Sequence, residues 1–123
     1  MVARAESLKG HLDMLLLAAV SAEPAHGYGL VLRLRELSGG TLDLPEGTIY
    51  PALYRLERAS LVASEWATVG GRLRRTYRLT DRGREALAGQ VRDWRRFSEA
   101  IDMVVRGCVG GPPHAPSKEA GPG

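Results

Sequence analysis

The residues best suited to chemistry in this sequence are the arginines between Gly70 and Arg84. Six arginines fall there against one acid, Asp81, so six positive charges less one negative leave +5, in a chain whose net charge is +3. Arginine makes planar, bidentate contacts with phosphates and with guanine edges. Taken alone, such a run more often indicates a solvated basic face, so the elements that carry it must decide between the two interpretations.

The other reactive side chains do not assemble into a site. His11, His26 and His114 fall on different segments without metal-ligand spacing, and His26 is typical of a helix entry. A single cysteine, Cys108, excludes an internal disulfide framework and a cysteine-based zinc site. We therefore expect no enzyme, no metal and no cofactor.

Length and hydropathy limit the class of protein. The chain has 123 residues, enough for one small domain with accessory segments. No apolar stretch approaches the roughly 18 residues that a membrane span requires, and the N-terminus lacks the apolar core of a secretory signal. These features predict a cytoplasmic protein that does not contact a membrane.

Hydrophobic periodicity predicts three short helices in the first half of the chain. The first covers about 8–22 and the second about 26–37. The second helix is expected to bury the side chains of Tyr28, Val31, Leu32 and Leu34. Pro24 and the pair Gly39-Gly40 mark the ends of these two helices.

The third predicted helix has one buried face and one uncertain start. Ile49, Leu53 and Leu56 share a face, and the helix ends near Ser60. If it begins at Pro45 or Glu46, Pro51 lies in its second turn and should open or kink it. If Thr48 is the N-cap, Pro51 is tolerated, and the sequence leaves both starts open.

After Leu61 the apolar period changes from 3.6 to 2. This change predicts strands over 62–69 and 72–79, joined by a tight turn at Gly70-Gly71. Thr80 is the expected N-cap of a long helix to about Arg106. The Gly- and Pro-rich segment 107–123 is expected to be disordered.

This order of elements is that of a winged helix-turn-helix, mainly α with a small β-hairpin. We expect a DNA-binding domain over 1–79, a dimerisation helix over 80–106 and a tail over 107–123. In this architecture the third helix enters the major groove and the hairpin, or wing, lies along the backbone or minor groove. The residues expected to contact DNA are Thr48, Tyr50, Pro51, Tyr54, Arg55 and Arg58 on the third helix, with Arg72, Arg74, Arg75 and Arg78 on the wing.

The last helix carries an apolar stripe that the small domain cannot cover. Its spacing is typical of a seam between paired helices and predicts a homodimer, with helix 8–22 joining the interface. The residues expected at the dimer interface are Leu87, Val91, Trp94, Phe97, Ile101, Val104 and Val105.

Three motifs together resemble the PadR family of bacterial transcriptional regulators. The segment 44–57, LPEGTIYPALYRLE, resembles the family's recognition helix, and HGYG at 26–29 resembles its second-helix entry. The segment 70–80, GGRLRRTYRLT, followed by Gly83, resembles its wing and the start of its last helix. The single C-terminal helix resembles the short subgroup, whose members dimerise through it.

The resemblance implies a repressor that binds a palindromic operator as a homodimer and is released by a small aromatic or cationic effector. It also implies that Trp94 stacks on flat ligands at the dimer interface, although Trp94 as a packed seam residue explains the spacing equally well. The expected ligand-binding residues are Trp94, Val91 and Ser98 with Met14, Leu17 and Ala18 of the first helix. Two alternatives stay open: a constitutive DNA-binding protein without effector, and a winged-helix module that binds a protein.

Overall fold

The computed structural model describes residues 10–110, which form the predicted winged helix-turn-helix and a long last helix. The first helix was expected from about residue 8, but it begins at Leu12, after a turn at Gly10 and His11. Leu8 and segment 111–123, which holds most of the expected disordered tail, lie outside the described residues. The elements are α1 (Leu12–Ala22), β1 (Ala25–His26), α2 (Gly27–Leu37), α3 (Glu46–Arg58), β2 (Val62–Val69), β3 (Arg72–Leu79) and α4 (Asp81–Val109). The chain divides into two compact units, 1–89 and 90–123.

The first unit is organised around one apolar core. All three short helices and the base of the hairpin contribute to it. The largest fully buried side chains are Leu16, Leu17, Leu30, Leu44, Ile49, Leu53, Leu56, Val20 and Val62. The predicted inward face of α3, with Ile49, Leu53 and Leu56, is confirmed.

The buried stripe of α2 differs from the predicted one. Leu30, Val31 and Leu34 are buried together with Gly27, whereas Tyr28 and Leu32 are 42% and 39% exposed. Helical geometry explains the difference, because residues 27, 30, 31 and 34 lie on one face. Tyr28 and Leu32 are one turn apart on the neighbouring flank, so the prediction that they are core residues was wrong.

Arg33 of α2 closes the C-terminal end of α1. Its Nη1 donates to the carbonyl oxygens of Ala19 at 2.7 Å and Glu23 at 2.8 Å, and its Nη2 lies 3.1 Å from the Glu23 carboxylate. Carbonyl groups at the C-terminal end of a helix have no N–H donor from a following turn, and Arg33 supplies donors to two of them. These bonds fix α1 against α2, and so set the base on which α3 rests.

The hairpin matches its predicted bounds and gains a third strand. The order of the antiparallel sheet is β1-β3-β2, and β2 pairs with β3 from Val62↔Leu79 to Val69↔Arg72. Gly70 and Gly71 both have positive φ, 60° and 79°, as the two-residue hairpin turn requires. The strand β1 was not predicted, because two residues are too short to show a period.

The structure settles the start of α3. The helix begins at Glu46 with Pro45 as its N-cap residue, so Pro51 lies inside it and Thr48 is not the cap. Pro51 has no N–H to donate to the carbonyl of Gly47, four residues earlier. Gly47 and Pro51 are both exposed, so water can solvate that carbonyl.

The last helix begins as predicted and ends later. Thr80 Oγ1 accepts from the Gly83 amide at 2.9 Å, which confirms the N-cap. The same hydroxyl donates to the carbonyl oxygens of Ser60 and Leu61, in the loop between α3 and β2. The helix continues to Val109, three residues beyond the expected end at Arg106. Glycine alone does not end a helix, and Gly107 is an interior residue of this one.

Candidate nucleic-acid interface

The outward face of α3 is narrow, polar and exposed. Gly47, Pro51, Tyr54 and Arg58 follow one another at spacings of four, three and four, which places them on one stripe opposite the buried face. All four are exposed, and the side chain of Tyr54 is 60% exposed. Small residues at the start of this stripe allow close approach of another molecule.

Tyr54 and Arg58 support each other on that stripe. Arg58 Nη1 donates to Tyr54 Oη at 3.2 Å, and the guanidinium carbon lies 5.7 Å from the centre of the ring. Hydrogen bonding and cation–π attraction both restrict the arginine side chain. The pair therefore presents a cationic group that the phenol restrains on one side.

Tyr50 and Thr48 lie on opposite flanks of that stripe. Tyr50 is 39% exposed and packs against Gly27, where an added Cβ would overlap the phenol ring. Thr48 is partly buried. Close approach of the Tyr50 ring thus requires glycine at the entry of α2, a packing reason for the HGYG motif.

Arg55, expected to contact DNA, is engaged by α1. Its Nη2 lies 2.6 Å from Asp13 Oδ1, and the two side chains are 57% and 43% exposed. An ion pair this exposed contributes at most about 1 kcal/mol, so a phosphate can compete for the arginine. Arg55 is therefore a weaker candidate than Arg58.

The wing arginines divide between the two faces of β3. Arg72, Arg74 and Arg78 are an even number of residues apart and share one face of the strand. Arg72 and Arg78 are exposed, and Arg74 is partly buried. Arg75 lies on the other face, in register with Trp66 of β2. The four side chains therefore do not form a single contact surface.

Arg75 belongs to a cluster that sequence reasoning missed. Its Nε donates to Ser64 Oγ at 2.9 Å, and its Nη2 lies 3.5 Å from the carboxylate of Glu57 on α3. Ser64 Oγ in turn donates to Glu57 Oε2 at 2.7 Å, and the guanidinium carbon lies 5.7 Å from the Trp66 ring. We call these four residues the wing cluster. It depends on tertiary packing of α3 on the sheet, which no local pattern reveals.

Grooves at the surface lie between α3 and the sheet, and a larger and a smaller one concern the basic residues. The larger, about 540 Å³, is lined by Tyr54, Glu57, Arg58, Arg75 and Tyr77. The smaller, about 320 Å³, is lined by His26, Tyr50, Trp66, Leu73, Arg74, Arg75 and Tyr77. Burial raises the pKa of Tyr77, so its phenol stays neutral at the floor of both. Each groove combines arginine with aromatic surface, a lining suited to a phosphate-bearing chain.

His26 is a structural residue at the edge of the smaller groove. Its Nδ1 accepts from the Gly29 amide at 3.0 Å, so it caps α2, as its position at a helix entry predicted. Burial, and then the positive charge of Arg74, lower the pKa of His26. The neutral imidazole is the form that can accept this hydrogen bond.

In the second unit, large apolar side chains are exposed along α4. Exposure of the stripe residues is 40% for Trp94, 54% for Phe97, 45% for Ile101, 65% for Val104 and 46% for Val105. Val91 and Ser98 are partly buried, and Trp94 lies 6.3 Å from Phe97, ring centre to ring centre, at 53°. Leu87, in the first unit, packs against the core.

One of the three ligand-lining residues expected on α1 is wrong. Leu17 is fully buried in the core of the first unit, so it cannot line a pocket at a surface. It shares the inward face of α1 with Leu16 and Val20. Met14 is partly buried and Ala18 exposed, so both remain accessible candidates.

Within the described range 10–110, no three His, Cys, Asp or Glu side chains lie close enough together to hold a metal ion. In that same range, no helix is both long and apolar enough to cross a membrane.

Comparison with known proteins identifies the family. The model of the transcriptional regulator PadR-like family matches residues 16–89. The transcriptional regulator Rv3488 of Mycobacterium tuberculosis is 40% identical over 89 residues, which cover 72% of this chain and 74% of the relative.

Solved structures agree with that match. A PadR family transcriptional regulator from Eggerthella lenta is 34% identical, with a TM-score of 0.68 over 81% of this chain and 86% of that one. A PadR family transcription regulator from Clostridium difficile is 28% identical, with a TM-score of 0.69 over 78% of this chain and 99% of that one. The chain therefore belongs to the PadR-like family of transcriptional regulators.

Proposed function

We propose that this regulator is a repressor that binds a palindromic DNA operator as a homodimer and is released by a small aromatic or cationic effector. DNA is contacted by the outward stripe of α3 and by arginines of the wing. The repressor role and the palindrome follow from the family resemblance. The exposure and charge of the described side chains support the choice of contact residues.

The observation that supports DNA binding most is the larger groove. Tyr54 and Arg58 of α3 and Arg75 of β3 line it together, so the helix and the wing present cationic groups to the same space. Phosphate contacts by arginine and tyrosine position a protein on a duplex, whereas contacts to base edges confer specificity. Arg58, beside the small residues of α3, is suited to either role.

Arginine-to-alanine variants test this assignment. The probe is a duplex of about 30 base pairs selected by the wild-type protein from a randomised library, long enough for two half-sites one turn apart. Arg58→Ala, Arg74→Ala and Arg78→Ala should each weaken binding, and a phosphate contact should also reduce the salt slope by about one. A base contact should cost about 1–3 kcal/mol and relax preference at one position.

Arg92→Ala is the matched control, since Arg92 is exposed on the part of α4 that belongs to the second unit and its loss changes net charge equally. Its affinity should stay near wild type. If all three variants bind as tightly as Arg92→Ala, the assigned face is wrong. Weak, salt-insensitive binding by the wild type would favour the protein-binding module instead.

Dimerisation is supported by the exposed apolar stripe of α4. Ile101, Val104 and Val105 have no reason to be apolar and exposed in a monomer, and a second α4 stripe would bury them. Pairing also supplies two recognition helices, which two half-sites require.

The effector site is proposed at Trp94 with Val91 and Ser98 of the same helix. Trp94 offers a flat indole surface for stacking and for cation–π attraction. Met14 and Ala18 of the second copy remain predicted contacts of this site. An effector releases DNA only if it binds better to a dimer whose recognition helices are wrongly spaced.

Quenching of tryptophan fluorescence by planar aromatic cations tests the effector site. Trp94→Ala should abolish quenching while operator binding persists, and Trp66, on the wing, remains as the internal control. If such compounds leave wild-type emission unchanged up to their solubility limits, Trp94 is a packing residue and the protein is a constitutive DNA-binding regulator.

A further inference from the structure

We infer that Glu57 is a positioning residue: it holds Arg75 at the groove between α3 and the wing so that both Arg58 and Arg75 contact one DNA backbone strand. This inference rests on the proposed DNA-binding function. It assigns a role to an acidic residue in a groove whose other lining residues are two arginines and two tyrosines.

The wing cluster forms a directed chain of hydrogen bonds. Arg75 Nε donates to Ser64 Oγ at 2.9 Å, and the Ser64 hydroxyl donates to Glu57 Oε2 at 2.7 Å. Arg75 Nη2 also lies 3.5 Å from the same carboxylate oxygen. One residue on α3 therefore connects the recognition helix to both long strands of the wing.

These contacts leave much of the arginine available. A guanidinium carries about five N–H donors, of which the cluster engages the Nε donor and one side of Nη2. Trp66 lies beside the guanidinium and is itself 61% exposed. Arg75 is thus restrained on one edge by Glu57 and Ser64 while its other donors can contact a phosphate.

The docking geometry of the fold places a DNA strand at this groove. When α3 lies in the major groove and the wing along the adjacent minor groove, the backbone between those grooves must pass between α3 and the wing. The larger groove occupies that position, with Arg58 on its α3 side and Arg75 on its wing side.

The direction in which DNA affinity changes on removal of Glu57 distinguishes a positioning role from a purely electrostatic one. If Glu57 acted only through its negative charge, its removal would strengthen DNA binding, because net positive charge favours phosphate. If Glu57 positions Arg75, its removal weakens binding even though the protein becomes more positive. The two accounts predict opposite directions.

The experiment compares Glu57→Ala with Glu65→Ala on the selected duplex. Glu65 is the matched control, because it is an exposed carboxylate on β2, adjacent in sequence to Ser64 and on the opposite face of the hairpin. Glu65→Ala should bind as tightly as wild type or more tightly. Glu57→Ala should bind about five- to tenfold more weakly, the loss expected of one ordinary hydrogen bond.

Two further variants test the chain of contacts. Arg75→Ala should weaken binding by a similar factor, and Glu57→Ala combined with Arg75→Ala should be no weaker than Arg75→Ala alone. Ser64→Ala breaks the link without changing charge, so it should weaken binding in the same direction. It also keeps the inference testable if Glu57→Ala does not fold, as judged by thermal unfolding.

Tighter binding by a folded Glu57→Ala, equal to that of Glu65→Ala, would overturn the inference, as would additive losses in the double variant. Neither result would affect the proposed function, because wild-type binding is measured in the same series. If the wild type selects no duplex from the library, the proposed function fails instead.

Discussion

The two units of the chain differ in whether their large apolar side chains are buried or exposed. In the first unit, large apolar residues of α1, α2 and α3 form a closed core in which Leu16, Leu30 and Ile49 have no exposed surface. In the second unit, Ile101 is 45% exposed and Val104 65% exposed on α4, although the apolar spacing is just as regular.

The difference shows that periodicity identifies a face to be covered without identifying what covers it. A helix surrounded by other elements of its own chain covers that face locally. In the second unit the α4 stripe is exposed within its own chain, and in the proposed dimer a second copy covers it. In the proposed function, the first unit carries the DNA contacts and the second unit joins two copies of the chain.

A charge placed in the α4 stripe should have the largest effect. Ile101→Asp introduces a carboxylate where pairing would bury it, at a cost of several kcal/mol per unpaired charge. The variant should sediment as a monomer and lose operator binding while retaining helical circular dichroism, because Ile101 is exposed within its own chain.

Met103→Asp is the control for that prediction. Met103 is two residues away, on the opposite side of α4, and 69% exposed. It should remain dimeric. Monomers in both variants, or dimers in both, would mean that the stripe is not the interface.

Glycine-to-alanine substitutions in α4 should change stability in opposite directions in the two units. A Cβ at Gly83 would collide with the carbonyl oxygen of Leu61, so Gly83→Ala should destabilise the first unit by about 1–3 kcal/mol. A Cβ at Gly107 meets nothing within 4 Å, so Gly107→Ala should stabilise the helix by about 0.5–1 kcal/mol. Urea denaturation followed by circular dichroism measures both; a shift in the same direction would contradict the contrast.

The smallest effect is expected from protonation of His26 in the first unit. Burial and Arg74 lower its pKa below the ordinary 6.5, so the folded state favours the neutral imidazole that caps α2. Stability from this group is therefore full above pH 6.5 and is lost as the pH falls through the folded-state pKa. Removal of a cap costs about 1 kcal/mol.

His26→Asn isolates the effect of His26 protonation on stability, since asparagine can accept the same hydrogen bond but does not titrate. Thermal unfolding from pH 7.5 to 5 should show a steeper loss of stability in the wild type than in the variant. Parallel plots of unfolding temperature against pH would show that His26 does not contribute to the loss of stability at acid pH.

The sequence predicted those features that depend on local pattern. The hairpin bounds follow from alternation and from Gly70-Gly71, the inward face of α3 from its period, and the N-cap from Thr80. Prediction from the sequence failed where tertiary neighbours determine burial, as for Leu17 and Leu32, whose burial depends on how α1 and α2 pack. The contacts of Glu57 with Ser64 and of Arg55 with Asp13 join distant segments, so spacing alone could not reveal them.

Sedimentation velocity of the protein with its selected duplex tests the central claim most directly. Two domains that bind DNA and one shared α4 seam predict two protomers per duplex, and no comparable complex with Ile101→Asp at the same concentration. One protomer bound per duplex with full affinity, or equal binding by Ile101→Asp, would contradict the division of roles between the two units.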